Sequence, residues 1–432
     1  MENLGVRLNV ARDVAIIGAG WAGLSAAAEL AAHGVPVTVF EAARQLGGRA
    51  RSVSRNGLQL DNGQHILLGA YRESLRMMRK VGVDIDRALL RLPLRLQTPG
   101  HLDLAAPALP APLHLLAALL TADGLLWSER RAAVRFVIGL RLNGFKSPTN
   151  QNVADLLAGQ PEKLVRLLWE PLCLAALNTP ISTASAQIFL NVLRDSFSRV
   201  RSDSDLLLPR ADLSALFPQA AARYIEQRGG KIRLGATVSS IMPEANGVTV
   251  DGKNFSHAIC AVAPYSLPRL LGHLPEMAEA LAAVSRFTYQ PIATIYLQYP
   301  RNIALPFPML GLTGGHAQWV LDRGALDGQH GLLAVVVSAE GPHLRLGHEA
   351  LAAAAHEELQ ATLGNLPLPH WQQVIVEKRA TFACTAGLRR PSPVTPDKRI
   401  FLAGDHIAGD YPATLEGAVR SGVQCAQLLI AS

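Results

Sequence analysis

The spacing of apolar residues at the start of the chain predicts a strand, a helix and a second strand. Val14–Ile17 is a short apolar run before a glycine-rich turn, residues 24–32 are mostly alanine and leucine, and residues 35–40 lead to Glu41. Short apolar runs between turns are typical of buried strands, and the longer alanine–leucine run is typical of a helix. The sequence therefore predicts a βαβ unit at the start of the chain.

The later pattern divides the chain into a mostly helical part and two groups of strands. Residues 71–200 carry a helical pattern, and short β-type runs return near Lys231. The expected elements are strands at 231–234, 237–241, 248–250, 258–263, 294–299, 318–321, 333–338, 374–382 and 399–403, with helices at 348–363 and 416–430. Strands mixed with helices in this way predict an α/β fold class.

The size and composition of the chain indicate two domains and an apolar environment for part of the surface. A chain of 432 residues is longer than one hydrophobic core usually serves. Hydrophobic residues make up 49% of it and charged residues only 17%. This composition indicates an apolar ligand, contact with a membrane surface, or both.

The net charge of +7 does not indicate a nucleic-acid partner. The arginines are scattered and aromatic residues are only 5% of the chain, so the basic groove with interleaved aromatics that binds nucleic acid is not predicted. A weak attraction to anionic lipid headgroups stays open. The four cysteines contain no C-x-x-C pair and no secretory signal is visible, so we expect a cytoplasmic protein without a metal site.

Residues 104–122 form an uncharged stretch that is long enough to suggest a transmembrane helix. Pro107, Pro110 and Pro112 interrupt it where a bilayer would require an unbroken backbone hydrogen-bond ladder. We therefore expect a buried or membrane-grazing segment instead of a span. Together with the basic stretch 125–142 it forms either a lipid-facing entrance, peripheral on the inner face of the cell membrane, or an ordinary helical cap over a substrate cavity.

A glycine motif directly follows the first predicted strand. Gly18 suits a tight turn, Gly20 lets the backbone approach a pyrophosphate, and Gly23 lets the helix pack closely on the sheet. The N-terminus of that helix would point at the phosphates. Glu41 ends the second strand, where a carboxylate accepts hydrogen bonds from an adenosine ribose. These features together predict a dinucleotide-binding site.

Two further segments favour FAD over a nicotinamide cofactor. Gly47 and Gly48 allow close backbone approach, and Arg49 offers a guanidinium that can meet phosphate. Near the C-terminus a predicted strand delivers Asp405 to the pyrophosphate and ribitol region, and the helix near Glu416 can point its positive end at the flavin. A second G-x-G-x-x-G motif is absent from the sequence, so we expect no nicotinamide domain.

These motifs, with Asp61-x-Gly63, resemble the flavin amine oxidase and carotenoid desaturase superfamily. The resemblance implies a Rossmann-like FAD-binding domain, at 1–70, 201–265 and 396–432, and an interleaved α+β substrate domain at 71–200 and 266–395. No cysteine convincingly matches the one that carries covalent flavin in some amine oxidases, so noncovalent FAD is expected. The implied cofactor contacts, which include a valine in a strand at Val238, are Gly18, Ala19, Gly20, Gly23, Leu24, Glu41, Gly48, Arg49, Gly63, Gln64, Val238, Gly404, Asp405, Leu415, Glu416 and Ala418.

Five segments narrow the resemblance to the squalene-associated FAD-dependent desaturases. These segments are LDNGQHILLGAY at 60–71, WEPLC at 169–173, ALNTP at 176–180, QWVLDR at 318–323 and Arg390-Pro391. The resemblance implies reductive dehydroxylation of hydroxysqualene to squalene in squalene and hopanoid synthesis, with a long-chain isoprenoid substrate and an external electron donor of unknown identity. A carotenoid-type desaturase and a noncatalytic prenyl-group carrier of the same fold are the alternatives.

Dehydroxylation needs an acid, because hydroxide is a poor leaving group. A positioned acid contributes about 10²–10⁴ in rate, after which an allyl cation takes a hydride from the flavin. The candidate acids, in order of preference, are His65, Glu170, Tyr411 and Asp61. His65 is equally suited to a structural role in the cofactor loop. Asp61 is better suited to stabilising the turn than to donating a proton. The substrate pocket should be dry and largely apolar.

Overall fold

The structure is a computed structural model and describes residues 13–55, 57–197 and 199–431. The expectation of no secretory signal falls in part on residues 1–12, which lie outside these ranges. The strands are β1 (Val14–Ile17), β2 (Val37–Glu41), β3 (Ser52–Arg55), β4 (Leu58–Asp61), β5 (Leu67–Leu68), β6 (Leu89–Leu92), β7 (Arg95–Thr98), β8 (Leu102–Ala105), β9 (Leu206–Pro209), β10 (Lys231–Leu234), β11 (Ile241–Glu244), β12 (Gly247–Val250), β13 (Lys253–Phe255), β14 (His257–Cys260), β15 (Tyr289–Gln298), β16 (Met309–Gly311), β17 (Trp319–Asp322), β18 (Leu332–Ser338), β19 (Trp371–Phe382) and β20 (Ile400–Leu402).

The α-helices range from single turns to long helices. They are α1 (Trp21–Ala32), α2 (Arg72–Lys80), α3 (Ile85–Ala88), α4 (Leu113–Thr121), α5 (Trp127–Leu142), α6 (Val153–Leu156), α7 (Glu162–Leu164), α8 (Glu170–Leu177), α9 (Ala186–Phe197), α10 (Leu213–Leu216), α11 (Pro218–Glu226), α12 (Leu267–Leu271), α13 (Ala278–Ser285), α14 (Arg323–Asp327), α15 (His348–Leu363) and α16 (Leu415–Ala431). A π-helical segment, Val165–Trp169, leads into α8.

A five-stranded parallel sheet joins distant parts of the chain, in the order β10-β2-β1-β14-β20. Val14 of β1 lies opposite Val37 of β2 on one side and His257 of β14 on the other. Strand β1 is wholly apolar and buried, as expected for a parallel strand covered on both faces. Because the strands are parallel, their carboxyl ends share one edge of the sheet, where ligands of such folds bind.

A second five-stranded sheet is antiparallel, in the order β16-β17-β18-β15-β19. Its side chains alternate between two faces, as the pleat requires. Along β18, Val335 and Val337 belong to the same apolar cluster as Leu351 of α15. Val336 and Ser338, which lie between and after them, line a cavity on the opposite face. One face of this sheet is therefore a core and the other is the wall of a site.

The predicted elements at the chain ends agree closely with the structure, but one predicted strand was wrong. Residues 71–200 are mostly helical, as predicted, and also contain β6, β7 and β8. Strand β6 pairs with β9, which follows much later in the sequence, so its local pattern gives no sign of a sheet. The predicted strand at 237–241 is irregular until β11 begins, because the backbone N–H groups of Ser239 and Ser240 donate to the Asp251 carboxylate instead of a strand.

The proline-interrupted stretch 104–122 begins at the end of β8 and continues into the nine-residue helix α4. Helix α4 buries His114, Leu115, Ala118 and Leu119. Among the residues that the structure describes, no helix has the length and apolar character needed to cross a membrane. The division into two discontinuous domains stays a prediction.

Helices α1 and α16 approach each other so closely that there is no room for a side chain at Gly422. A Cβ atom at Gly422 would lie 2.1 Å from the carbonyl oxygen of Ala22. Gly139, within α5, has no atom within 4 Å of its own Cβ position. The two glycines thus differ in steric surroundings while both lie inside helices.

We predict that Gly422→Ala lowers the free energy of unfolding by about 1–3 kcal/mol, because the backbones of α1 and α16 must separate. The matched control, Gly139→Ala, should raise it by up to about 1 kcal/mol, since alanine is the better helix former. Chemical denaturation of both variants measures the difference. Equal stability of the two variants would contradict the close helix contact.

Candidate functional site

A cavity of about 690 Å³ begins at the carboxyl edge of the parallel sheet and extends to the antiparallel sheet. One end is lined by glycine-rich segments from β1, β2 and β20, and the other by apolar side chains. The predicted site residues that line it are Gly18, Gly20, Glu41, Gly48, Arg49, Gly63, Gln64, His65, Val238, Gly404, Asp405, Leu415 and Ala418. The structure therefore brings together residues from the beginning, centre and end of the chain.

The glycine turn after β1 has the geometry of a phosphate-binding loop. Gly18 has a φ of +106°, and a Cβ there would lie 2.5 Å from the carbonyl oxygen of Ala261. Gly20 has no atom within 4 Å of its Cβ position and lines the cavity, so its backbone is open to a ligand. Gly20 also precedes α1 without a side-chain cap, which leaves the first N–H groups of the helix available to an anion.

Gly23 has the packing role that the sequence predicts. A Cβ at this position would lie 2.0 Å from the carbonyl oxygen of Gly18 and 3.1 Å from the Cβ of Ala261. Ala19 and Leu24 are fully buried and are not among the residues that line the cavity. These three residues, which were predicted to contact the cofactor, therefore support the turn on the side away from the cavity.

Glu41 is at the end of β2 and lines the same end of the cavity. Its carboxylate accepts the N–H of Ala19 at 2.7 Å and the N–H of Ala43 at 2.8 Å. The N–H of Gly47 donates to the carbonyl oxygen of Ala19 at 2.9 Å, so the second glycine segment is tied to the first. Glu41 thus fixes the turn and remains beside the space that an adenosine ribose would occupy.

An ion pair joins the first and last parts of the chain inside the cavity wall. Arg49 donates to the carboxylate of Asp405 at 2.7 Å and to the carbonyl oxygen of Ala380, in β19, at 2.8 Å. Burial acts to raise the pKa of Asp405, but the charge of Arg49 and the neighbouring His406 outweigh it and hold the pKa well below its usual range. The sequence motifs predicted Arg49 and Asp405 as separate phosphate-region contacts, and the structure pairs them.

A buried ionic network supports the loop that follows β4. The Asp61 carboxylate accepts the N–H of Leu213 at 2.9 Å and pairs with Arg323 at 3.3 Å, and Arg323 also pairs with Asp327. Burial raises the pKa of Asp61 to about 6, although the charge of Arg323 acts in the opposite direction. Asp61 does not line the cavity. It is therefore a brace of the loop, as expected, and is not placed as an acid.

The same network orients Gln64 within the cavity wall. The Gln64 side-chain oxygen accepts from Arg323 at 3.0 Å, and its nitrogen donates to the Tyr296 hydroxyl at 2.8 Å. Tyr296 in turn donates to the carbonyl oxygen of Asp61 at 2.9 Å. The sequence motifs give neither Arg323 nor Tyr296 a role in the site. Arg323 lies within the run QWVLDR, whereas no sequence motif includes Tyr296.

His65 is the one predicted acid that reaches the cavity among the described residues. Its Nδ1 lies 3.2 Å from the carbonyl oxygen of Gly63. Enclosure by protein lowers the pKa of His65, and the charge of Arg49 acts in the same direction. The ring is therefore mostly neutral at neutral pH, which makes it a poor proton donor there.

The structure corrects the positions of Tyr411 and Glu170. The Tyr411 hydroxyl donates to the carboxylate of Asp195 in α9 at 2.9 Å, so its side chain points towards that helix. Glu170 begins α8 and is only partly buried. Neither side chain lines the cavity.

Glu416 and Val238 also differ from expectation. The Glu416 carboxylate is fully buried and accepts the N–H groups of Glu73 and Ser74, at 3.1 and 2.9 Å, and the Nε of Arg420 at 2.7 Å. It caps the N-terminus of α2 and does not line the cavity. Val238 lines the cavity from an irregular segment and not from a strand, because that segment bonds to Asp251.

The far end of the cavity is apolar. Its lining includes Leu94, Leu96, Leu172, Val192, Leu193, Phe197, Met309, Trp319 and Leu321. A smaller, almost wholly apolar pocket among α4, α5, α8 and α9 shares the side chains of Leu94, Leu96, Leu172, Leu193 and Phe197 with it. The two spaces therefore lie side by side, and the smaller one is on the side of α4 and α5.

The two ends of the cavity suit two different ligands. The glycine end offers open backbone N–H groups and a carboxylate, which fit the phosphates and ribose of a dinucleotide. The apolar end fits a hydrocarbon chain. No cluster of metal-ligating side chains occurs within residues 13–55, 57–197 and 199–431.

Comparison with known families gives a match over nearly the whole chain. The family model described as flavin containing amine oxidoreductase matches residues 21–430. A solved oxidoreductase structure from Methanosarcina mazei superposes with a TM-score of 0.74 at 18% identity, over 96% of this chain and 99% of that one. These matches confirm the fold class that the sequence motifs predicted.

Relatives of similar length share sequence along the entire chain. A hydroxysqualene dehydroxylase from Sinorhizobium fredii is 29% identical over 97% of this chain and 98% of that protein. A protein of the same description from Rhodopseudomonas palustris is 29% identical over 98% and 99%. A zeta-carotene desaturase from Zea mays is 25% identical over 95% of this chain and 82% of that protein.

Proposed function

Because the chain belongs to the flavin containing amine oxidoreductase family, we propose that it is a flavin enzyme acting on hydroxysqualene, which it reduces to squalene and water. The observation that carries the proposal is the two-ended cavity, in which a dinucleotide end continues into a long apolar end. Two full-length relatives described as hydroxysqualene dehydroxylases support it. A hydrocarbon substrate also agrees with the apolar side chains that line the far end of the cavity.

The flavin in this proposal is FAD, and it is held without a covalent bond. The glycine turn and Glu41 would hold the adenosine and pyrophosphate, and the N-terminal end of α16 would face the flavin ring. Each of the four cysteines is buried, and none lines the cavity.

We predict that acid denaturation releases all of the flavin into the supernatant, where chromatography identifies it as FAD. Flavin that stays with the precipitated protein would contradict noncovalent binding. Release of FMN in place of FAD would contradict the assignment of the glycine end to adenosine.

Dehydroxylation requires one carbon–oxygen bond to break and one carbon–hydrogen bond to form. When bound, the reduced flavin supplies a hydride for the carbon and a proton equivalent for the oxygen, which leaves as water. The protein orients the hydrocarbon and excludes water through its apolar lining, and orientation alone contributes much of the rate of such reactions. The dry environment also strengthens every hydrogen bond to the departing oxygen.

We predict that hydroxysqualene reoxidises the reduced enzyme under anaerobic conditions, because it is the electron acceptor in this reaction. The flavin is reduced with dithionite, hydroxysqualene is added, and the flavin absorbance near 450 nm is followed while extracted lipid is analysed for squalene. Reduced enzyme without substrate is the control for residual oxygen.

The alternatives give different outcomes in the same experiment. Bleaching of the oxidised enzyme by squalene or phytoene, without reoxidation by hydroxysqualene, would overturn the proposal in favour of a desaturase. A purified protein that holds no flavin would indicate a noncatalytic prenyl-group carrier.

We further propose that the enzyme contacts a membrane peripherally, on its cytoplasmic face, through α4, α5 and the adjoining loops. The exposed large apolar side chains here are Leu109, Leu113, Leu126, Trp127, Ile138 and Leu142, of which Leu142 is 82% exposed. Arg131, Arg135 and Arg141 are exposed on the same helix, α5. An exposed helix face that mixes apolar and basic side chains is typical of helices that lie in the interface of an anionic membrane.

The charge of α5 is almost entirely of one sign. Its one acidic residue, Glu129, is buried and accepts the N–H of Leu126 at 2.7 Å. The apolar pocket lies directly behind this face, since Ile138 and Arg141 are among its lining residues. A lipid-soluble substrate could therefore pass from the bilayer into the cavity without crossing water.

We predict that the double variant Trp127→Ser, Leu142→Ser binds vesicles of phosphatidylglycerol and phosphatidylcholine about tenfold or more weakly than the parent, because it loses buried apolar area. Co-sedimentation measures binding. Leu368→Ser is the matched control, since Leu368 is 77% exposed but lies outside this surface. Equal loss of binding in the control, or no binding by the parent at low salt, would contradict the proposal.

A further inference from the structure

Tyr71 is a phenol in the wall of the cavity and is the residue before α2. The side chain of Thr414, which also lines the cavity just before α16, lies beside it. The ring of Tyr71 contacts the ring of Tyr411 edge-on, with a centroid separation of 6.4 Å. The phenol therefore packs against the segment that leads into α16.

Several other polar side chains at the apolar end already bond to protein. Asn178 donates to Thr381 at 3.0 Å and accepts the N–H of Ala339 at 2.7 Å. Ser204 donates to the carbonyl oxygen of Arg201 at 2.8 Å. The side chains of Asn178 and Ser204 are therefore occupied by the protein.

The surroundings of Tyr71 keep its phenol protonated. Burial raises the pKa of Tyr71, and the negative charge of Glu416 acts in the same direction. A protonated phenol can donate a hydrogen bond to a hydroxyl group and can give its proton to an oxygen that leaves.

We propose that Tyr71 is the catalytic residue that binds the hydroxyl group of the substrate and protonates it as it leaves. This inference rests on the proposed function. As the carbon–oxygen bond breaks, the oxygen takes the proton of Tyr71 and leaves as water. When bound, reduced flavin would supply a hydride for the carbon and one proton overall, so that the phenol is restored and atoms and electrons balance. Thr414 is a positioning residue that holds the phenol.

The test is Tyr71→Phe in the anaerobic reoxidation experiment. We expect the reoxidation rate with hydroxysqualene to fall by about 10²–10⁴, the contribution of a positioned acid, with unchanged flavin content. Binding of hydroxysqualene should weaken by about two- to tenfold for one lost hydrogen bond, whereas binding of squalene, which has no hydroxyl group, should not change. A merely structural role would weaken both ligands equally.

Tyr411→Phe is the matched control, because it removes a hydroxyl from the neighbouring ring that points to Asp195 and away from the cavity. Its rate should stay close to that of the parent. If purified Tyr71→Phe contains less flavin than the parent, a second variant, Thr414→Val, serves instead. It removes the hydroxyl group beside the phenol with little change of volume and should also slow reoxidation.

The outcomes separate the two proposals. A parent enzyme that hydroxysqualene does not reoxidise contradicts the proposed function. A parent that is reoxidised, with Tyr71→Phe at the parent rate, overturns the role of Tyr71 alone. If His65→Gln is then slow, the donor is His65.

Discussion

The buried ion pair between Arg323 and Asp61 is the interaction on which the site most depends. Both side chains are 3% exposed, so neither charge has access to water. A buried charge is tolerated only when it is paired and hydrogen-bonded. Arg323 begins α14, directly after β17 of the antiparallel sheet, and Asp61 ends β4, before the loop beside the dinucleotide site. Because each charge needs the other, the Arg323–Asp61 pair fixes the position of α14 relative to the end of β4.

Gln64 and Tyr296 extend this constraint into the cavity wall. Their hydrogen bonds leave the loop between Asp61 and His65 little freedom. The Arg49–Asp405 pair acts similarly on the other side, where it joins the first and last segments to Ala380 in β19. A flavin enzyme needs its ring and its substrate in fixed relation, and these ion pairs and hydrogen bonds provide that rigidity.

Much of the fold and the dinucleotide end could be predicted from the sequence, because the signals are local. Gly18, Gly20 and Gly23 act within one turn and one helix, and Glu41 follows at the end of the next strand. The contacts of Arg323, Tyr296 and Tyr71 could not be predicted, because they depend on segments that meet only in three dimensions. Glu416 shows that a motif can also predict a contact that the structure does not have. Its place in the C-terminal motif predicted a cofactor contact, but its carboxylate caps α2, a helix that is distant in sequence.

The order of strands in the parallel sheet has a consequence for how the protein forms during synthesis. Strand β14 pairs with β1 on one side and with β20 on the other, and β20 and α16 are the last elements along the chain. Until they emerge from the ribosome, β14 is an unpaired edge and one wall of the site does not exist. An unpaired edge of this kind is open to association with other chains. The nascent protein therefore passes through a stage with an exposed strand and no cofactor site, and its safe maturation depends on how quickly that edge is covered.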